Sequence, residues 1–497
     1  MESALRSAAC INAPCLNRRM LLRGALTGGM IAAAASASRR GAFAQQTAAP
    51  VALALARLFN RIEIAALPPK AIEHAKMVLA STLASAASGF QIGSARIVRD
   101  LAKEQGGRPD AGLWFDRTKL PMAQAARVNA MSSDAAASDD SDLRNIAHTG
   151  TCLAAVGLAI AERTGLSGAD VLAAIVAGYE AAGRIGGALS ERRNGFHASV
   201  IVAFGGAVAA AKLLKLTDEQ IAQAISITAT TMGGLTIGTN SWAREYHAGN
   251  AALCAVNAAQ AAGRGYSVNE DMLEARRGFL AIFGSGKAGV QSITRETGGD
   301  WDIVKYLAIK LVPGAHALQA SAEAAANAAR QANAAPEEIA KILVSGPGSR
   351  DQTVSGSPRP PKDMVEAIHS AAYFVASAVA DRDFSWVHAT DEKIHRPVIS
   401  RLIGMVEADP APPPVHNDWS WGGTVTIVTK SGARFTSTVD APKGSGPRGI
   451  EWSDVDAKYR ALLPGSGLPA PRIEEILKRI HAFDRVKQVA EFTRLLG

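Results

Sequence analysis

Ser167-Gly168-Ala169-Asp170-Val171-Leu172-Ala173-Ala174-Ile175-Val176-Ala177-Gly178 is the stretch that decides the fold. A serine followed three residues later by an acid, and then by an apolar run, marks a helix start. The spacing predicts a helix from Val171 to Leu189. Its small residues, Ala173, Ala174, Ala177 and Gly178, allow a neighbouring helix axis to come close. The run Gly205-Gly206-Ala207-Val208-Ala209-Ala210-Ala211 has the same character. Upstream, Pro68-Pro69-Lys70 opens a helix through Ala86, with proline at a helix start. Downstream, Thr217-Asp218-Glu219 opens another from Gln220 to Ala229. From Ala52 to about Gly265 the pattern is helical almost throughout, which predicts a dense all-helical domain.

The pattern changes after about residue 303. Glu338 to Ser345 reads as a strand, and Thr424 to Lys430 with Ala433 to Val439 alternate around Ser431-Gly432 as a hairpin. A helix from about Met364 to Ala380 lies between them. Helices on an antiparallel sheet make an α+β module. After Pro442 the chain turns helical again, notably from Pro471 to Ala482 and from Arg485 to Leu496. The expected class is therefore mainly α, with a large all-helical domain (residues 45–303), a smaller α+β domain (304–445) and a C-terminal segment (446–497) that returns to the helices.

The formal charge of +8 is a poor guide to partners until it is mapped. Residues 1–44 hold Arg6, Arg18, Arg19, Arg23, Arg39 and Arg40 against one acid, Glu2. Removing them subtracts five and leaves about +3. No basic run with interleaved aromatics remains, so the sequence gives no ground for nucleic-acid binding. The same residues read as an address. Arg18-Arg19 precedes a mildly apolar stretch from Gly24 to Ser38, and Ala42-Phe43-Ala44 fits a small-residue cleavage site. The expectation is a Tat signal peptide over residues 1–44 and a periplasmic mature protein. The apolar run of about 15 residues is short of the ~20 that span a bilayer. No membrane association is expected after cleavage.

Motif silence narrows the chemistry. Gly284-Ser285-Gly286-Lys287-Ala288-Gly289 matches G-x-G-x-x-G, but no strand leads into it and no βαβ pattern surrounds it. No Walker A, H-E-x-x-H, paired C-x-x-C or G-x-S-x-G occurs. Cys10 and Cys15 lie in the leader, and Cys152 and Cys254 sit in apolar stretches as expected free thiols. Two thiols cannot hold a three-cysteine iron–sulfur cluster.

What remains is a set of polar residues in apolar surroundings. Ser138-Asp139-Asp140-Ser141-Asp142 leads into His148-Thr149-Gly150. Gly195-Phe196-His197-Ala198 and Arg244-Glu245-Tyr246-His247-Ala248-Gly249-Asn250 each lead into a helix. Lys310 and His316 flank Pro313-Gly314, and Tyr373 follows His369-Ser370. A cation or histidine at a helix N-terminus favours an anion there.

In order and context these stretches resemble the MmgE/PrpD family over about residues 52–460. The family's D-F-D-D-T and H-P-G correspond to Ser138 through Asp142 and His148-Thr149-Gly150. Matched without gaps from His148, Asp140 is the acid that stays in register. The family's G-F-H-P corresponds to Gly195 through Ala198, its K-x-x-H-x-G-N-A-A to Arg244 through Ala252, and its K-x-x-P to Lys310 onward. Its F-S-x-x-Y-x-V-A corresponds to His369 through Ala376. Arg244 replaces the family's usual lysine. The resemblance implies that the α+β domain is a lid, that the site lies between the two domains, and that the protein is a homodimer. It also implies a small-molecule carboxylate substrate and no metal or organic cofactor.

The residues support such chemistry directly. Removing a proton beside a carboxylate builds charge on its oxygens, which Arg244 and Lys310 can hold. Histidine suits the proton transfers because its ordinary pKa of about 6.5 lies near working pH. His148, His197 and Tyr373 are the expected catalytic groups, and Asp140, Asp142, Arg244, Lys310 and His316 the expected substrate-binding groups. The predicted activity is a dehydratase-like lyase. Epimerase, isomerase or decarboxylase activity, or a non-catalytic carboxylate-binding homologue, are the alternatives.

Overall fold

The computed structural model describes residues 49–497 except 190–194, 285–288, 357 and 413–420. The leader, the polar centre of the G-x-G-x-x-G match and part of the proline-rich loop lie outside the described residues. Ala49–Gly497 form one compact unit, and no described helix is long and apolar enough to cross a membrane.

The helices form where the sequence places them. The first core is built chiefly on α1 (Pro69–Gly89), α2 (Met122–Ala135), β1 (Asp140–Asp142), α3 (Thr149–Thr164), α4 (Gly168–Ala188), α5 (Ser199–Leu213), α6 (Asp218–Thr231), α7 (Ala243–Gly263), β2 (Leu307–Ile309) and, from the far end of the chain, two helices labelled below. Ser167 and Asp170 close a reciprocal capping box on α4, and Thr217 and Gln220 close one on α6. Each box satisfies two backbone N–H groups that have no partner inside the helix. The small residues act as expected. A Cβ placed on Gly178 would lie 2.7 Å from the carbonyl oxygen of Gly205, and one on Gly206 would lie 2.6 Å from Cys152 Sγ. α3, α4, α5 and α7 thus meet almost backbone to backbone, which explains why 48% apolar residues suffice with so few aromatics. Cys152 and Cys254 are both free thiols.

The second core is α+β. Helix α8 (His316–Ala332) and helix α9 (Ala371–Asp381) pack on each other, and α8 covers a four-stranded sheet. The sheet holds β3 (Ile339–Ser345), β4 (Val406–Ala408), β5 (Gly423–Thr429) and β6 (Arg434–Val439) in the order β4-β3-β5-β6. The hairpin β5–β6 forms as read, but β4 runs parallel to β3, so the sheet is mixed rather than purely antiparallel. The long helix read from Met364 to Ala380 is broken. A short turn, Met364–Ala367, ends before Ser370, whose hydroxyl caps α9 by accepting from the Tyr373 N–H. A capping serine competes with helix continuation, and the break leaves His369 between the two pieces.

Beyond the sheet, α10 (Trp452–Leu462) and α11 (Ala470–His481) pack into the first core, α10 against α1. The helix read from Arg485 to Leu496 shrinks to Val489–Thr493. Residues 485–488 instead form a turn whose Val486 carbonyl accepts from Gly168 N–H at the start of α4.

One short ladder was not legible. β1 pairs antiparallel with β2, placing Asp140 opposite Ile309, Ser141 opposite Ala308 and Asp142 opposite Leu307. It brings together segments some 170 residues apart and sets the candidate site.

Candidate active site

A strand turns successive side chains to opposite faces. At β1 this parity sorts the acids. Asp140 and Asp142 point into the helical core. Asp139 and Ser141 point the other way, toward Lys310, His148 and His316.

Asp140 caps α3. Its carboxylate accepts the Gly150 N–H at 3.0 Å and the Tyr179 hydroxyl at 2.8 Å. A side chain on Gly150 would strike that carboxylate at 2.3 Å, so glycine lets the helix end close on it. Burial, and then the Asp139 charge, push the Asp140 carboxyl up to about 6. Asp142 pairs with Arg144 at 2.5 Å, and the same guanidinium reaches Asp302 at 2.9 Å. Neither acid is among the residues that line the cavity described below; both are hydrogen-bonded or ion-paired in the wall behind it.

Asp139 is the acid that sequence reasoning missed. It is fully buried. Lys310 Nζ donates to its Oδ1 at 2.8 Å, and its Oδ2 lies 2.7 Å from His148 Nδ1. Burial opposes ionisation, but the His148 and Lys310 charges override it and hold the Asp139 carboxyl well below the usual range. Counting parity from a recognised strand would have found it, but a strand of Asp-Ser-Asp offers no apolar alternation to recognise.

His148, His197, Arg244, Lys310 and His316 line one cavity of about 210 Å³, together with Thr236, Thr239 and His369. The pattern of histidines and cations at helix starts holds. His148 is the N-cap of α3, His197 lies two residues before α5, Arg244 is in the first turn of α7, and His316 opens α8.

His148 and His197 are held in opposite tautomers. His148 Nδ1 lies 2.8 Å from the Asp140 carbonyl oxygen, which can only accept. Its Nδ1 therefore carries the proton, and Nε2 of the neutral ring is bare. His197 Nδ1 accepts from the Ser199 N–H at 3.2 Å. A neutral His197 therefore carries its proton on Nε2. One ring presents a bare nitrogen that can take a proton, and the other an N–H that can donate a hydrogen bond.

Arg244 is 2% exposed, and its Nη2 donates to the carbonyls of Asp134 and Ala135 at 2.8 and 3.2 Å. Its Nε and Nη1 are buried without a hydrogen-bond partner. His316 Nδ1 lies 2.8 Å from Ser141 Oγ, and its Nε2 also has no partner. Burial, then the Lys310 charge, hold His316 neutral, with its pKa well below the usual histidine value. Unsatisfied buried donors are costly. The guanidinium lines the cavity with its Nε beside Asp134, and Nη1 is the donor that a further carboxylate could satisfy.

Tyr373 does not reach this cavity. Its hydroxyl donates to the His388 carbonyl at 2.6 Å inside the second core, and burial pushes its phenol up to about 12. The break before α9 turns His369, not Tyr373, to the cavity. Lys458 was also missed. This buried lysine of α10 donates to Ser81 Oγ at 2.6 Å and to the Ser138 carbonyl, behind Asp139. Burial pushes its ammonium down to about 7, against the Asp139 charge.

Among the described residues, one trio has metal-ligating donors within reach of each other: Asp134, Asp139 and His148. Lys310 already sits on Asp139, and Arg244 Nε lies 3.7 Å from Asp134. Two fixed cations against these carboxylates oppose a third, so the trio does not fit a metal ion. Two larger cavities, of about 400 and 580 Å³, carry charges that are already paired, such as Lys443 with Asp454 and Arg359 with Glu366.

Known proteins match this arrangement. The family model for the MmgE/PrpD N-terminal domain matches residues 53–291, and that for the MmgE/PrpD C-terminal domain matches residues 313–482. The chain belongs to the MmgE/PrpD family. Among curated relatives, the cis-aconitate decarboxylase of Homo sapiens is 24% identical over 89% of this chain and 93% of its own. That of Mus musculus is 25% identical over 78% and 80%, and that of Aspergillus terreus 25% over 67% and 71%.

Proposed function

We propose that this protein is a lyase that acts on a small carboxylate by proton transfer at the carbon next to a carboxyl group. One observation carries the reading. Arg244, Lys310 and two histidines in opposite tautomers line a single cavity of about 210 Å³. That volume lies below the ~300–1,000 Å³ of drug-sized ligand sites and suits a small acid.

In this reading Arg244, whose Nε faces Asp134, takes a substrate carboxylate on its unpartnered Nη1. His148 Nε2 removes the adjacent proton, and the Asp139 carboxylate beside Nδ1 favours the resulting imidazolium. The electron pair delocalises into the carboxylate, whose new charge faces Arg244 and Lys310. In a dehydration the His197 Nε2–H donates a hydrogen bond to the β-hydroxyl, which takes the proton now held by the His148 imidazolium and leaves as water, and the pair closes a double bond. We favour this dehydratase-like course. The names of the relatives support a second one, in which carbon dioxide leaves and the pair at carbon is protonated. The residues 304–445 would then serve as the lid over the site.

Two further expectations belong here as proposals. The leader directs Tat export to the periplasm. The homodimer forms at the exposed apolar surface of Leu235, Ile237, Trp242 and Tyr246, which surrounds the cavity residues Thr236 and Thr239 in the chain.

The test is proton exchange. Purified mature protein in D₂O should incorporate deuterium into, or turn over, at least one small hydroxy or unsaturated carboxylate, read by NMR. His148→Ala should lower that rate about 10²–10⁴-fold. Absence of exchange and turnover across a broad panel of acids would defeat the reading.

A further inference from the structure

Two rings in the cavity wall, His316 and His369, have no part in this mechanism, and His369 also faces a second cavity. His369 lines the 210 Å³ cavity and also the 580 Å³ cavity formed by Asn240, Thr353, Arg359, Glu366 and Ser370, so it stands between the two. Its Nδ1 lies 2.9 Å from the Val365 carbonyl oxygen. A carbonyl only accepts, so Nδ1 carries the proton and Nε2 of the neutral ring is bare. Burial, then the Arg244 charge, push its pKa down to about 3, and the Lys310 and His148 charges act in the same direction. At ordinary working pH the ring is neutral and Nε2 can only accept a hydrogen bond.

Its neighbour has the opposite need. Arg244, in the same wall, holds Nη1 buried without a partner, while its Nε faces the Asp134 carboxylate at 3.7 Å. A bare carboxylate would satisfy Arg244 but would bring only acceptors to His369, whose Nε2 lone pair would meet them unfavourably. A ligand that satisfies both offers acceptor oxygens to the guanidinium and a hydrogen-bond donor to the imidazole. Among small acids the group with both is a hydroxycarboxylate.

We infer that His369 is a specificity-determining residue that accepts a hydrogen bond from the hydroxyl of a substrate whose carboxylate is held by Arg244. This selects hydroxy acids over their deoxy or unsaturated counterparts. The inference rests on the carboxylate-site reading above and narrows its substrate class.

Matched acids test it: citrate against tricarballylate, and malate against succinate, each pair differing by one hydroxyl. Isothermal titration calorimetry on the purified protein should show the hydroxyl-bearing member of at least one pair binding roughly 10- to 100-fold tighter. His369→Phe keeps a ring of similar outline without the acceptor, and His369→Leu is a second variant should the first fail to fold. Either should erase the preference while the deoxy acid binds within about threefold of its original affinity. Arg244→Met should weaken both members of the pair. A wild-type protein that binds the acids with no hydroxyl preference overturns the inference and leaves the carboxylate site standing, as does a preference that survives removal of the imidazole. A wild-type protein that binds none of the four acids defeats the carboxylate site, and the inference falls with it.

Discussion

The α4–α5 helix pair and the β1–β2 ladder are both deeply buried, and they are specified in opposite ways. The helix pair is local and apolar. A capping box starts α4, small residues line the contact, and Gly178 and Gly205 let the backbones touch. The ladder is polar and long-range. Its stability depends on Asp139 meeting Lys310 across some 170 residues and on Asp142 meeting Arg144. The first arrangement tolerates nothing added. The second tolerates nothing removed. The site is built on the second, with the first as its rigid backing.

The largest expected effect breaks the ladder. Lys310→Met leaves the Asp139 carboxylate buried with its main cation gone, and losing one partner of a buried ion pair costs about 3–5 kcal/mol. Urea unfolding should show that loss together with loss of ligand binding. Next comes the helix pair. A Cβ on Gly205 would lie 2.5 Å from the Gly178 carbonyl oxygen, so Gly205→Val should cost about 1–3 kcal/mol by overpacking. Its folded fraction should keep the ligand affinity of the wild type, because no site residue touches that contact. A drop in affinity equal to that of the ladder variant would erase the distinction.

A pH series sharpens the contrast further. His369, lowered to about 3, and His316, lowered well below 6.5, stay neutral in the folded state while the unfolded chain protonates them. The unfolded state then binds more protons, so their contribution to stability is lost as pH falls below about 6.5. Asp140, raised to about 6, acts in the opposite sense between its ordinary 3.8 and 6, because there the folded state holds the extra proton. His369→Phe should flatten the net acid-side slope of unfolding free energy against pH, whereas Gly205→Val should leave that slope unchanged. The smallest effect is Ser167→Ala, which removes half of the capping box on α4. It should cost about 1 kcal/mol in thermal or urea unfolding and leave the site alone.

The same contrast explains what was legible. Helices with caps and apolar periodicity, such as α4 and α6, could be read within two or three residues. So could the β5–β6 hairpin, because Ser431-Gly432 marks its turn. Of the five cavity residues, His148, His197 and Arg244 stood out as polar groups at helix starts, and Lys310 and His316 as polar groups flanking Pro313-Gly314. The parity of β1 did not, because a three-residue strand of Asp, Ser and Asp has no hydrophobic face to report its register. Asp140 was therefore read in place of Asp139. Tyr373 was misplaced because Ser370 breaks the helix before it, and His369 took the position at the cavity. Lys458 comes from the far end of the chain, and nothing local links it to Ser138.

The central claim is that Asp139 joins Lys310 and His148 into one proton-transferring site. Deuterium exchange and turnover of small carboxylates by Asp139→Asn, compared with wild type at matched folded fraction, test it most directly. Loss of the charge that orients His148 and anchors Lys310 should lower the rate by about 10²–10⁴, with the helical circular dichroism intact. An Asp139→Asn protein that exchanges and turns over its substrate at the wild-type rate would contradict the account.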